Sequence, residues 1–228
     1  MTANNPLLVL TDINYTLPDH GPELFSGLQL TVGPGERLAV VAGEGEGKST
    51  LMRLMAGLIP PTKGVVALSG NKLDSPPPQP GGIGVLFSDA TNHFLTPVVQ
   101  EEILLGMDNR DKSDGEDKVG QYLELAGFPA HKAGCSLVKL STSQQSRVAV
   151  AAVLASQPCL VLADEPGNYL DMAGEEQLAK TFFDLTQKKN MAQVIFTSRL
   201  ERANRFAKRI LFLNNGVLSN TPSPKGRF

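Results

Sequence analysis

The stretch "VVAGEGEGKST", residues 40–50, decides the fold, because a glycine-rich loop ending in Lys-Ser-Thr joins two segments of different periodicity. The run "RLAVVA" that leads into it is typical of a buried strand. The segment after it, "KSTLMRLMAGL", has apolar residues at helical spacing and is predicted to end near Gly57. A strand, a loop of this form and a helix follow each other in the order that a P-loop requires. The sequence therefore predicts a phosphate-binding loop.

The residue types in this loop suit a bound polyphosphate. Backbone N–H groups of the loop and of the helix N-terminus attract phosphate oxygens. Lys48 adds a positive charge, and the Ser49 hydroxyl can ligate Mg²⁺. A glycine-rich turn without a ligand is the alternative, but it gives no packing reason for Lys-Ser-Thr. We predict these nucleotide-binding residues: Gly43, Glu44, Gly45, Glu46, Gly47, Lys48, Ser49 and Thr50.

Three residues of the loop are unusual. Ala42 stands six positions before the lysine, where the usual pattern has glycine, and it is tolerable if its φ is negative. Glu44 and Glu46 place carboxylates beside a site for a polyanion. At ~8–10 Å in a high dielectric, each opposes a phosphate by only tenths of a kcal/mol. We therefore expect binding to survive, with negative charge on the rim of the site.

Short apolar runs alternate with helical patterns along the chain, and this alternation predicts an α/β fold with a mostly parallel sheet. The middle third is helical, and the proline-rich "DSPPPQPGG" and the polar "DNRDKSDGEDK" are predicted loops. Asn215-Gly216 predicts a hairpin turn. We predict one domain, 1–228, with a core of about 1–88 and 158–228 and a helical subdomain of about 89–157. The predicted strands are "LQLTV", "RLAVVA", "GVVALSG", "GIGVLF", "CLVLAD", "QVIFTS" and "RILFL", and the predicted helices of the middle third are "PVVQEEILLGM", "DKVGQYLELAG" and "SQQSRVAVAAVLAS".

Composition excludes several classes. The 228 residues carry a formal charge of -2, so the chain lacks the electrostatic footprint of a nucleic-acid binder. Cys135 and Cys159 lack metal-type spacing and are expected to be reduced, small apolar residues. We expect no signal peptide and no membrane span. The basic run "ERANRFAKR", residues 201–209, is interpreted as a solvated helix face, and His93 as a surface or interface residue.

A second motif, "CLVLADEPGNYLD", is an apolar strand that ends in Asp164-Glu165. Two adjacent carboxylates at a sheet edge suit a Walker B element. Asp164 would hold Mg²⁺ through water, and Glu165 would polarise the attacking water as the catalytic residue. A solvated strand end is the alternative, and the P-loop makes it less favoured.

With these motifs in place, the chain from about residue 7 to 217 resembles the nucleotide-binding domain of ABC transporters. The resemblance rests on "LVKLSTSQQSRVAVAAVLASQPCLVLADEPGNYLD", which is similar to the signature helix, Walker B and D-loop of that family in order and spacing. "IGVLFSDATNHFLTPVVQEEILLG" resembles the Q-loop segment of cobalt and energy-coupling-factor importers. The resemblance implies a P-loop NTPase with a RecA-like core, an N-terminal antiparallel β portion and a helical subdomain. It further implies a head-to-tail dimer that holds two ATP molecules with Mg²⁺.

The same resemblance assigns further residues and exposes departures from the family pattern. Asp171 would be the D-loop aspartate. Ser88 replaces the Q-loop glutamine, and Ser198 replaces the switch histidine. The adenine-stacking aromatic aligns with Leu17, although Tyr15 lies nearby. The signature that would face the partner's ATP has lost both glycines and consists of Leu140, Ser141, Thr142, Ser143 and Gln144. Losing one preorganised donor costs ~3–4 kcal/mol, so we expect MgATP binding with slow hydrolysis.

Two functions stay open at this point. The first is the ATP-binding and ATP-hydrolysing subunit of a membrane ABC transporter, cytoplasmic and held at the inner face of the membrane by permease subunits. The second is a degenerate ATP-binding subunit that serves as a regulator or heterodimer partner. Action on ribosomes or DNA is disfavoured. The sequence does not choose between homodimer and heterodimer; in a homodimer, Arg147 would offset Glu44 and Glu46. Phe94, Leu95 and Val98 are the predicted apolar contacts with the permease.

Overall fold

The computed structural model describes residues 5–18, 21–74, 82–89, 93–107 and 115–222. Strands and helices alternate along this part of the chain. The strands are β1 (Leu8–Thr16), β2 (Glu23–Val32), β3 (Arg37–Val41), β4 (Lys63–Leu68), β5 (Asn71–Lys72), β6 (Ile83–Leu86), β7 (Leu160–Asp164), β8 (Ala192–Thr197), β9 (Arg209–Asn214) and β10 (Val217–Ser219). The helices are α1 (Lys48–Met55), α2 (Val99–Gly106), α3 (Gly115–Leu125), α4 (Thr142–Ala155), α5 (Met172–Lys189) and α6 (Leu200–Phe206).

The strands form two sheets. A four-stranded antiparallel sheet has the order β2-β1-β4-β5, and a six-stranded sheet has the order β10-β9-β3-β8-β7-β6. Every pairing in the larger sheet is parallel except that of β10 with β9. The predicted α/β fold, with an antiparallel N-terminal portion and a mostly parallel sheet, is confirmed. The turn at Gly33-Pro34-Gly35 connects β2 to β3 and thereby passes the chain from one sheet to the other.

The six-stranded sheet is covered on both faces, which explains its near-continuous apolar strands. In β7, Leu160 and Leu162 face a core shared with α1 and the antiparallel sheet. Val161 and Ala163 face a second core, which includes apolar residues of α2, α3, α4 and α5. The helices predicted for the middle third are present as α2, α3 and α4. The division of the chain into a core and a helical subdomain stays a prediction.

Three elements, β1, α5 and β5, are absent from the sequence-based predictions. Helix α5 is 18 residues long and begins at the N-cap Asp171, and β5 comprises two residues. The hairpin at Asn215-Gly216 is confirmed, since both residues have positive φ and join β9 to β10. The predicted proline-rich loop (residues 75–81) and most of the polar loop (108–114) lie outside the described residues. Within the described ranges, no helix is long and apolar enough to cross a membrane.

Candidate nucleotide-binding site

The predicted site residues gather at the carboxyl edge of the parallel sheet. β3 ends at Val41 and leads into the loop of residues 42–47, and its neighbour β8 ends at Thr197, directly beside Val41. β7 ends at Asp164, which is paired with Phe196 of β8. Parallel strands bring their carboxyl ends to one edge, and ligands of open α/β sheets bind there.

Two glycines shape the P-loop. Gly45 and Gly47 have φ of 79° and 94°, values that side-chain-bearing residues rarely adopt. A Cβ on Gly47 would also lie 3.0 Å from both Leu24 and Phe25 of β2, whereas a Cβ on Gly45 would meet nothing within 4 Å. Ala42 is not among the described residues with positive φ, so the condition for an alanine there is met. Its N–H donates to the carbonyl of Thr197 at 3.1 Å.

Lys48 lies inside the loop that it closes. Its Nζ donates to the carbonyl oxygens of Ala42 and Gly43, each at 2.8 Å. The ammonium group is therefore held by weak, exchangeable carbonyl partners rather than by a carboxylate. A phosphate oxygen entering the loop would be a stronger, charge-assisted partner for the same donor. Thr50 follows in the first turn of α1 and is half-buried.

The two predicted magnesium ligands are in direct contact. Ser49 Oγ donates to Asp164 Oδ2 at 2.8 Å, although the residues are 115 positions apart. Asp164 is only 7% exposed. Burial raises the pKa of its carboxyl above the ordinary value, while the hydrogen bond from Ser49 opposes this shift.

This pair of oxygens fits Mg²⁺, a hard cation that prefers oxygen ligands. The described residues contain no group of three or more His, Cys, Asp or Glu that could hold a metal alone. Ser49 and Asp164 are the residues that would hold a magnesium ion here.

Glu165, the predicted catalytic residue, has both carboxylate oxygens engaged. Oε1 accepts the Ser198 N–H at 2.6 Å. Oε2 accepts from Thr197 Oγ1 and from Arg202 Nη1, both at 2.8 Å. Its φ of 47° is unusual for a residue with a side chain, and such strain is concentrated at functional sites.

The interpretation of residues 201–209 as a solvated face is wrong for Arg202, which is 3% exposed. Arg202 lies on the face of α6 that also buries Ala203 and Phe206. Besides Glu165, its Nη1 donates to Asn168 Oδ1 at 2.7 Å, and its Nε donates to Glu175 at 3.2 Å. Arg205 also forms an ion pair with Glu175, at 3.2 Å. Because positions 202, 203 and 206 share one helical face, this spacing was the sequence signal for a buried arginine.

The two glutamates of the P-loop differ from each other. The Oε2 of Glu46 accepts the N–H of Asn215 at 2.8 Å and thus connects the loop to the β9–β10 hairpin. Glu44 is exposed. Glu46 is therefore a structural partner of the hairpin rather than a charge directed only at the rim.

Ser88 and His93 lie near the acidic strand end. Ser88, His93, Ser146 and Glu165 line one small cleft of about 40 Å³. His93 is half-buried rather than on the surface, because the Phe87 N–H donates to its Nε2 at 2.8 Å and its ring lies against that of Phe87. Burial lowers the pKa of His93, so the neutral imidazole is favoured.

Residues of the signature and the D-loop cap the N-termini of helices within this chain. Ser141 caps α4, where its hydroxyl accepts the Gln144 N–H at 3.3 Å and the Gln144 side chain accepts the Ser141 N–H at 3.1 Å. Thr142 is exposed, and Ser143 is half-buried. Asp171 caps α5 by accepting the Gly174 N–H at 2.9 Å. Among the described residues, no hydrogen bond joins this group to the P-loop.

Three other predicted residues have partners within the chain. Tyr15 pairs across the strands with Phe25, the residue that lies against Gly47. Leu17 is half-buried, and its N–H donates to the Pro22 carbonyl at 3.2 Å. Arg147, expected to offset the loop glutamates in a homodimer, donates within the chain to Gly127 O and Gln177 Oε1 at 3.2 and 3.1 Å.

A parallel α/β sheet with a P-loop and an acidic strand end at one edge defines a P-loop NTPase domain. Comparison with known proteins narrows the class. The model of the family described as "ABC transporter" matches residues 25–168, which is more than half of the chain. The chain belongs to the ABC transporter family.

Individual relatives agree with this assignment. The Fe(3+) ions import ATP-binding protein FbpC 2 of Pectobacterium atrosepticum is 32% identical over 209 residues, covering 90% of this chain and 60% of that protein. The energy-coupling factor transporter ATP-binding protein EcfA1 of Streptococcus agalactiae is 30% identical over 198 residues, covering 85% of this chain and 70% of that protein. The resemblance to energy-coupling-factor proteins is thereby confirmed.

A solved structure supports the fold. The dimeric ATP-binding cassette in a post-hydrolysis state, bound to ADP and Pi, superimposes with a TM-score of 0.81, and the match covers 92% of this chain and 96% of that one. The sequence identity is 24%, so this likeness concerns the fold.

Proposed function

We propose that this chain is the ATP-binding and ATP-hydrolysing subunit of a membrane ABC transporter, with slow turnover in its own P-loop site. The observation that carries the proposal is the 2.8 Å hydrogen bond between Ser49 and Asp164. It joins the first turn of the P-loop helix to the acidic strand end, as a magnesium-nucleotide site requires.

Each residue of the site has a role in binding. The loop N–H groups and the N-terminus of α1 receive the phosphates, and Lys48 exchanges its carbonyl partners for phosphate oxygens. Ser49 and Asp164 would hold Mg²⁺, which neutralises phosphate charge when bound. Tyr15 or Leu17 would contact the adenine. Glu165 orients the attacking water.

Slow turnover follows from what surrounds Glu165. Ser198 supplies a backbone N–H to this carboxylate, but its side chain is short and cannot carry positive charge to a transferring phosphoryl group. Ser88 is likewise shorter than the glutamine that the resemblance leads us to expect. A missing preorganised donor lowers kcat by about 10²–10³-fold.

The surfaces suit two kinds of partner. Among the described residues, no hydrogen bond joins the signature residues Ser141–Gln144 to the P-loop of their own chain, and we infer that they face the ATP of a second ATPase subunit. Leu95 and Val138 are 82% and 85% exposed. Their segments are joined by the Leu137 N–H, which donates to the Pro97 carbonyl at 2.9 Å. This apolar surface suits a permease subunit, which would hold the chain at the inner face of the membrane.

Nucleotide binding and hydrolysis by the purified chain test the proposal. We expect MgATP to bind with wild-type affinity to Glu165→Gln and with strongly reduced affinity to Lys48→Ala. We also expect wild-type hydrolysis to be slow but above that of Glu165→Gln. Failure of the wild type to bind MgATP would overturn the proposal.

The Arg202–Glu165 ion pair gives weight to a second candidate, a degenerate ATP-binding subunit that acts as a regulator or heterodimer partner. For this candidate, MgATP binds but hydrolysis equals that of Glu165→Gln, also in the presence of the partner ATPase. The same two measurements therefore separate the two functions.

A further inference from the structure

Arg202 is a buried cation whose charge is directed at the predicted catalytic carboxylate. It forms a salt bridge with Glu165 at 2.8 Å, and the side chains are 3% and 13% exposed. A second salt bridge, to Glu175 at 3.2 Å, and the hydrogen bond to Asn168 fix the guanidinium plane. Charge-assisted bonds of this kind are short and strong, and solvent screens them little when they are buried.

The contacts with Arg202 and the end of β8 hold the Glu165 carboxylate in one orientation. To act on water, this carboxylate needs an oxygen that is free to accept the water's proton or hydrogen bond. Oε2 already accepts from both Thr197 and Arg202, whereas Oε1 accepts the Ser198 N–H and keeps a second lone pair, so Arg202 occupies one of the two oxygens and fixes the direction of the other. These donors belong to the end of β8 and to α6, whereas the donor to Asp164 is Ser49 of α1.

We propose that Arg202 is a positioning residue that restrains Glu165 and lowers the hydrolytic rate of this site. The inference rests on the proposed function and names the interaction that limits it. Glu175 moderates the restraint, because it shares the same guanidinium. Nucleotide binding does not depend on Arg202, since the phosphate-binding groups Lys48 and Ser49 have other partners.

The first test is the double variant Arg202→Gln/Glu175→Gln. Removing Arg202 alone would leave two carboxylates and one cation, Arg205, in this cluster, and an unpaired buried charge is strongly destabilising. The double change removes one cation and one anion together, so the charge of this cluster is conserved. We expect kcat for ATP to rise about tenfold, a part of what a free general base contributes, with KM unchanged.

Two controls distinguish a restraint on Glu165 from a general structural effect of the substitutions. In a Glu165→Gln background the double change should have no effect on kcat, because the restrained group is gone. The single variant Glu175→Gln should lower kcat about twofold, since Arg202 then pairs with Glu165 alone. Melting temperatures verify that each variant is folded.

The outcomes are decisive in both directions. A folded double variant with unchanged or lower kcat overturns the proposal, and so does a rise that persists without Glu165. If the double variant does not fold, Glu175→Gln decides, and an unchanged or higher kcat overturns the proposal. Failure of the wild type to bind MgATP would instead remove the proposed function on which this inference rests.

Discussion

Asp164 and Glu165 are consecutive, yet their carboxylates hydrogen-bond to different elements of the fold. Asp164 ends β7 and accepts the Ser49 hydroxyl of the P-loop helix, whereas Glu165 accepts from β8 and from Arg202 of α6. The positive φ of Glu165 breaks the strand at this point. One strand end thus delivers one carboxylate to the predicted metal position and the other to a buried arginine.

Glu46 should stabilise the protein through the hairpin rather than oppose phosphate. We expect Glu46→Ala to lower the free energy of unfolding by about 0.5–1.5 kcal/mol, because the Asn215 N–H loses its acceptor. Glu44→Ala is the matched control, since Glu44 is exposed and close in the same loop. Urea unfolding of the two variants measures the difference, and equal stabilities would contradict the assignment.

The sequence predicts the fold far better than it predicts the contact between Glu46 and Asn215. Strand and helix patterns are local, so β3, the P-loop and α1 could be predicted from residues 37–57 alone. The bond from Asn215 to Glu46 spans 169 positions. No periodicity encodes a contact between two turns, and a glutamate in a loop usually indicates solvent exposure.

The candidate site likewise combines one contact that the sequence predicts with others that it does not. The Ser49–Asp164 contact could be predicted, because both motifs have fixed places at the edge of a parallel sheet. Arg202 could not be predicted from composition, since a run of basic residues usually indicates a solvated face. Only its register with Ala203 and Phe206 indicated burial, and its partners at 165 and 175 come from other elements. Helix α5 is absent from the predictions although Leu178, Ala179 and Phe182 share one helical face, so this spacing was a signal for it in the sequence.

Gly47 and Gly45 form a matched pair for the P-loop. Gly47→Ala and Gly45→Ala each place a side chain at positive φ, but only the first brings a Cβ to 3.0 Å from Leu24 and Phe25. We expect Gly47→Ala to be destabilised by about 1–3 kcal/mol more than Gly45→Ala and to lose more MgATP affinity, because the Leu24 and Phe25 side chains must shift. Denaturant unfolding and equilibrium nucleotide binding are the measurements. Equal stability of the two variants would show that the Leu24 and Phe25 side chains shift at no cost in free energy.

Asp164 should weaken the nucleotide-free protein at neutral pH. Because burial raises its pKa, the folded state holds this proton more tightly than the unfolded state, and ionisation above that range opposes folding. We expect Asp164→Asn to raise the free energy of unfolding by about 0.5–2 kcal/mol at neutral pH. The gain should vanish as the pH falls towards the unfolded-state value of about 3.9, where the wild-type carboxyl is protonated in both states.

Thermal unfolding of Asp164→Asn with and without MgATP supplies the control for that prediction. The variant should be stabilised less by MgATP than the wild type, because a neutral amide is a poorer magnesium ligand than a carboxylate. If the variant is less stable than the wild type without nucleotide at neutral pH, the predicted sign of the change in the free energy of unfolding is wrong.

Ser198→His should raise hydrolysis, because the imidazole restores a donor at the end of β8 while the backbone N–H to Glu165 is retained. We expect kcat to increase by at least about tenfold, since a preorganised donor contributes 10²–10³-fold when its geometry is good. Adding Ser88→Gln, on the cleft that Glu165 also lines, should raise the rate further without strict additivity. Ser198→Ala is the control and should leave the slow rate unchanged. If Ser198→His brings no gain while MgATP binding is intact, the missing histidine does not limit turnover, and Ser88 and the Arg202–Glu165 pair remain as explanations.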